Sequence, residues 1–450
     1  MGRVSRKDHE RHGRSRSTCA ECATIVRVRL PARATGLLAG GLVLASCAGL
    51  LGVDDVAYRG ADGGAPDAEA LDDGAFDAGP PDVDSPDAPA DAPFSSCSAS
   101  PFPACDGGLA RCTANGACEI NLTNDPNNCG ECGRVCDSTC VGGLCYPIHV
   151  DTADNPGVYT PGTRPVWAGD DLVIWIAGGQ ASAVVMDPRG NPTGAYAVSG
   201  SDPVQADIAV DGPLVFALNT YAIDENLLDG GTTQTSFPVL AQPGFPARLT
   251  YDGTRLYYTD GLPGGSVVAV ERADGGVTSL AQGQQLPAHI LLVDGGVAFV
   301  NQAAPDAGNG AILAAFFADA PGTTHQKVGP LTVIGGLVNG GAGVAYYSLV
   351  ERGEIWQLDL TTFKASIFAT GLSDVRTLAV DDTFVLFDGR PNALSPYGIY
   401  RIRRCDGAIT QVVAVATDDA GAPLAMADGI VVHHRFVYFS MVGFLYRTSY

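Results

Sequence analysis

Between residue 146 and the C-terminus, apolar residues fall in short alternating runs broken by Asp, Asn and Gly, and no stretch of 150–450 carries a long helical period. One phrase recurs seven times here: a small or apolar residue, Asp or Asn (His in the last copy), a turn of two to four residues, then β-branched, any residue, aromatic. The copies are Gly169 to Trp175, Asp211 to Phe216, Asp252 to Tyr258, Asp294 to Phe299, Asn339 to Tyr347, Asp381 to Phe387 and His433 to Phe439. Their closing aromatics lie 41, 42, 41, 48, 40 and 52 residues apart.

Inside a repeat the turns divide the chain into four strands. The third runs Pro246 to Tyr251, turn Asp252-Gly253-Thr254, strand Leu256 to Thr259, turn Gly264-Gly265, strand Ser266 to Glu271, turn Asp274-Gly275-Gly276, strand Val277 to Ala281. Asp-Gly and Gly-Gly supply the positive φ values of tight hairpins. Four antiparallel strands every ~42 residues are the pattern of a β-propeller. The fold class expected is therefore all-β, with seven four-stranded blades; the irregular second, fifth and seventh repeats leave six or eight open. The last repeat offers three strands, Ile430 to His433, Phe436 to Ser440 and Phe444 to Tyr450. An exposed sheet edge invites aggregation, so residues 146–150 are expected to pair with 444–450 and close the ring.

Tyr257-Tyr258-Thr259-Asp260 resembles the YWTD motif, and the region is similar to the broad YWTD, NHL and SMP-30-like group of propellers. The resemblance implies the fold. YWTD propellers have six blades against seven phrases here, so their partners do not carry over.

At the other end, a basic stretch through Arg27, Arg29 and Arg33 precedes an apolar run from Ala34 to Ala45, closing in Leu44-Ala45-Ser46-Cys47. This resembles a bacterial lipoprotein signal with its lipobox. The resemblance implies that residues 1–46 are removed, that Cys47 is acylated and anchors the chain in a lipid bilayer, and that Ala48 at the next position directs it to the outer membrane, facing periplasm or cell surface. The run is shorter than the ~20 residues a membrane-crossing helix needs. Cys19 and Cys22 fall in the removed leader and are not read as a redox or zinc pair.

Residues 47–96 form a linker rich in Asp, Ala, Pro and Gly, whose repelling carboxylates favour an extended, disordered chain. Residues 97–145 hold Cys97, Cys105, Cys112, Cys118, Cys129, Cys132, Cys136, Cys140 and Cys145, which read as a small disulfide-rich, loosely EGF-like module. Zinc is the alternative, because Cys129 and Cys132 have ligand spacing; export and the lack of His in 97–145 favour disulfides. Nine cysteines cannot all pair among themselves, and Cys405 in the propeller region (146–450) is expected to bridge to the module.

The formal charge is -22, and removing residues 1–46 leaves 18 basic against 46 acidic residues, a charge of -28. Such a surface repels nucleic acid, which is excluded as a partner. Hydrolase, zincin, phosphate-loop and dinucleotide patterns are absent from the sequence, and it assigns no catalytic residue, metal or cofactor. Aligning the repeats at the start of each innermost strand gives Asp207, Arg248, His289, Arg376 and Asp428 as candidate ligand-binding residues. His433-His434 is set aside as a metal pair, because neighbours in a strand point to opposite faces. Two readings follow: a non-catalytic lipoprotein that binds or scaffolds a protein or carbohydrate, and, as the alternative, a propeller enzyme of the lactonase or lyase type with a site at the channel mouth.

Overall fold

The computed structural model describes residues 109–110, 112, 120–150, 164–169, 172–177, 180–186, 192–198, 207–228, 235–240, 248–302, 310–316, 319, 322–415, 429–441 and 444–450. Within them the chain is all-β, and seven four-stranded antiparallel sheets succeed one another as blades of a propeller. Blade 1 comprises Arg164–Ala168, Leu172–Ala177, Gln180–Met186 and Pro192–Ala197. In blades 1 to 6 the strands stand in chain order, innermost first.

The repeated phrase owes its Asp or Asn to local hydrogen bonding. The Asp252 carboxylate accepts the N–H groups of Thr254 (2.8 Å) and Arg255 (2.7 Å), and Asp381 accepts those of Thr383 (2.7 Å) and Phe384 (2.6 Å). Such Asx turns reverse the chain between the first two strands of a blade. The closing aromatic then fills the space between blades: Phe216, Tyr258, Phe299, Tyr347, Phe387 and Phe439 are fully buried. Seven apolar clusters each join two successive blades, the last joining blade 7 (Phe436, Tyr438) to blade 1 (Val173, Trp175). The core is thus a ring of interfaces.

Blade 7 closes as the sequence requires. Its order is Ile430–His433, Phe436–Met441, Phe444–Ser449 and then Ile148–His149 from the other end of the chain. Ile148 stands opposite Arg447, His149 opposite Tyr446, and the Val150 N–H donates to Leu445 O at 3.0 Å.

The Gly264-Gly265 turn forms as read, at the head of the strand Pro263–Glu271: Thr259 stands opposite Val267, the Gly265 N–H donates to Leu262 O at 2.9 Å, and Gly264 takes φ 75°. Within this reversal Asp260 accepts the N–H groups of Leu262 (3.3 Å) and Ser266 (2.8 Å). A Cβ at Gly265 would meet the Asp260 carboxylate at 1.9 Å, so this glycine makes room for that carboxylate. One sequence reading needs correction: His433 and His434 break the alternation argument. His433 ends its strand and His434 leaves it with φ 50°, which brings the two rings to 4.0 Å between centroids.

The module is built on cystines. Cys112–Cys132, Cys129–Cys140 and Cys136–Cys145 are disulfides, and Cys129, Cys136, Cys140 and Cys145 make a small buried core. Cys129, Cys136 and Cys145 hold their sulfurs within 4.8 Å of one another, but each is consumed in a disulfide. Cys405 is also disulfide-bonded. Cys47, Cys97, Cys105 and Cys118 lie outside the described residues.

The module docks on blades 6 and 7 through charges. Asp137 pairs with Arg447 (2.8 Å) and Arg435 (3.1 Å), and Glu131 pairs with the buried Arg401 (2.5 Å). Arg134, 6% exposed, donates to Ser449 O at 2.9 Å. Burial and the neighbouring Arg401 pull the Arg134 guanidinium down to about 10.

Candidate functional site at the channel mouth

Each innermost strand starts at one face of the ring and ends at the turn of the repeated phrase on the other. Residues at the strand starts therefore converge on one mouth. A cavity of about 530 Å³ opens there, and all seven blades contribute to its described lining, from Pro165 of blade 1 to Ile430 of blade 7. Asp207, Arg248 and His289 line it together. Arg376 does not; its side chain is exposed at the rim while the next residue, Thr377, lines the wall. Asp428 lies outside the described residues, although Gly429 after it lines the cavity.

The local backbone explains why His289 reaches the cavity. Ala288 pairs with Val300 and Ile290 with Phe299, so His289 is the extra residue of a β-bulge, with φ 37°. Leu286, just before the strand, is also left-handed (φ 54°). Non-glycine residues in this region cost free energy and gather at functional sites, as bulges do. The neighbouring innermost strand shifts register between Ile334 and Leu337, across Gly335-Gly336. A Cβ on Gly335 would meet Arg376 O at 2.7 Å, so small residues let blades 5 and 6 approach closely at the mouth.

Side-chain acceptors one position after the closing aromatic support the mouth, and the alignment at strand starts missed them. Thr259 Oγ1 accepts the Arg248 N–H (3.0 Å), and Ser348 Oγ accepts the Gly336 N–H (3.0 Å). In blade 6 the position holds a carboxylate, Asp388, which accepts from Thr377 N–H (2.6 Å), Thr377 Oγ1 (2.8 Å), Arg376 N–H (3.3 Å) and the Tyr397 hydroxyl (2.7 Å). Burial pushes Asp388 up, against these hydrogen bonds. The signal was present in the sequence, because copies three, five, six and seven all carry Thr, Ser or Asp there. Neighbouring blades are also tied: the Leu249 N–H donates to Asp207 at 3.1 Å.

The YWTD-like segment is accounted for by similar local roles. The Tyr257 hydroxyl donates to Asp252 (2.6 Å), and the Tyr258 hydroxyl accepts the Leu240 N–H (2.8 Å). Burial pushes Tyr258 up to about 12.

No protein-family model matches the chain, and no curated protein sequence matches it. Among solved structures it is similar to virginiamycin B lyase from Staphylococcus aureus, with 12% identity and a TM-score of 0.48 over 68% of this chain and 98% of that one. It is similar to the WD40 β-propeller domain of Doa1, with 12% identity and a TM-score of 0.46 over 63% and 90% of the two chains. A chain of a nidogen/laminin complex matches at 12% identity and a TM-score of 0.40, over 58% and 97%.

Proposed function

We propose that this protein is a cell-envelope lipoprotein, anchored by acylated Cys47, whose propeller binds a partner at the channel mouth and holds it without turnover. The observation that carries this reading is the mouth cavity, where separate blades bring Asp207, Arg248 and His289 together. Small concave sites with mostly apolar walls and a few convergent polar groups are the usual form of a binding site. Around it, the exposed Tyr221, Leu240, Leu262, Val333 and Leu394 sit on connections of the mouth face and extend the contact area for a protein or glycan. The described part of the module docks near the opposite, turn-bearing ends of blades 6 and 7, where Arg435 follows the last innermost strand.

The experiment is affinity capture from an envelope extract with the wild-type chain, a mouth variant (Arg248→Gln with Leu291→Trp) and a turn-face control (Arg403→Gln). The partner should be retained by wild type and control and lost from the mouth variant. Equal capture by all three would remove the reading. Mass spectrometry of the N-terminal peptide tests the anchor, which predicts a modified Cys47 as the first residue.

One observation favours the enzyme reading, the strained His289 facing the same cavity as Asp207 and Arg248. It requires turnover of a lactone or related substrate that His289→Gln abolishes, or a stoichiometric divalent ion removed only by chelator.

A further inference from the structure

The cavity is stratified. At the mouth stand the polar groups Asp207, Arg248, His289, Gln302 and Thr377, and Asn339 lines the far end. One residue further along the innermost strands, six blades present Ile208, Leu249, Ile290, Leu337, Leu378 and Ile430. Beyond them Leu291, Val338 and Val431 are partly exposed to the channel. No Phe, Tyr or Trp occurs among the described lining residues, which leaves a sugar without a broad stacking face. The charge at the mouth is unequal as well. Among the described residues, the guanidinium of Arg248 and one carboxylate, Asp207, line the mouth, and Arg376 adds a second guanidinium at the rim.

We propose that the group entering the channel is a single-chain amphiphile, with an anionic head held at the level of Arg248 and His289 and an aliphatic body lying between the branched side chains below. This rests on the mouth being a binding site and goes beyond it by naming what the site takes. An anionic head gains charge-assisted hydrogen bonds from a guanidinium, and an aliphatic body gains from leaving water for walls that offer apolar contact. About 530 Å³ lies within the range of small-ligand pockets, ~300–1,000 Å³. A cationic head would meet Arg248 and Arg376, and a sugar would set its hydroxyls against aliphatic walls.

The test is titration of the purified full chain with three probes below any micelle concentration: decanoate, decyltrimethylammonium with the same tail and opposite head, and maltotriose with no tail. Calorimetry gives affinity, and methyl NMR reports where each binds. Decanoate should shift the methyls of Leu291, Val338 and Val431 and bind at least tenfold more tightly than the cationic probe. Arg248→Gln, whose fold is checked by its unfolding curve, should erase that head preference while the tail-level shifts remain. If maltotriose or the cationic probe shifts these methyls at lower concentration than decanoate, the ligand class is wrong and the binding site stands. If none of the three shifts them, or decanoate shifts only methyls elsewhere, both the class and the site are overturned.

Discussion

Asp388 shows how much of the mouth rests on single acceptors. It is fully buried and serves four donors, so Asp388→Ala leaves the Thr377 and Arg376 N–H groups without their acceptor. Each orphaned buried donor costs about 1–3 kcal/mol, and the melting temperature should fall accordingly. Asp388→Asn should recover most of the loss, because the Tyr397 hydroxyl can turn and accept from the amide. The pH dependence follows from the directions of shift. Burial raises Asp388, so its contribution is fully present below the ordinary carboxylate value of about 4 and is lost as pH rises through its folded value. Asp252 has the opposite sign: burial pushes it up, but hydrogen bonds from Tyr257, Thr254 and Arg255 outweigh that and hold it below the usual range. Its stabilisation is present above about 4 and is lost as pH falls through the folded value. Unfolding curves between pH 3 and pH 7, chosen to bracket that value, should show Asp252→Asn losing most against wild type at the upper end, and Asp388→Asn gaining there. At this scale the sequence was legible where a residue repeats. Asp207, Arg248 and His289 could be aligned from the period alone, whereas Arg376 was placed one residue short of the cavity because a loop, and not a strand, leads into Leu378–Val380.

At the scale of elements, ring closure is the feature that local pattern made plain, since three strands in the last repeat demand a fourth. The pairing is short, two residues of Ile148–His149, but Val150 beyond it is fully buried in the cluster that joins blade 7 to blade 1. Removing residues 441–450 takes away the strand that receives it, Phe444–Ser449. The truncated chain should lose its cooperative unfolding transition by circular dichroism, and an unchanged transition would refute the closure. Turn chemistry was legible too, and a side chain completes it. The Gly264-Gly265 pair reads as a hairpin turn and is one, with Gly264 at φ 75°, while the Asp260 carboxylate braces the reversal and Gly265 leaves room for it.

For the molecule as a whole, the cysteine module is a bracket across blade 7, within which the ring is fastened, and its neighbour blade 6. Nothing in the sequence pairs Asp137 with Arg447, 310 residues away, because such contacts obey no period. Arg447 is fully buried and Asp137 is its ion-pair partner. Because Asp137 itself reaches solvent, breaking the pair costs less than the ~3–5 kcal/mol of a fully buried one, but Asp137→Asn should still lower the stability of the propeller itself, read as the unfolding of its Trp175 environment. A module that merely hangs from the ring would leave that transition unmoved. The bracket sits at the turn-bearing ends, and the claim to which the functional reading reduces is that the partner binds at the opposite, mouth face. Arginine-directed footprinting of the full chain, with and without envelope extract, measures it most directly. Arg248 and Arg376 at the mouth should be protected by the partner, while Arg255 and Arg403 near the turn face keep their reactivity. Protection of Arg255 and Arg403 with the mouth left reactive would contradict the account.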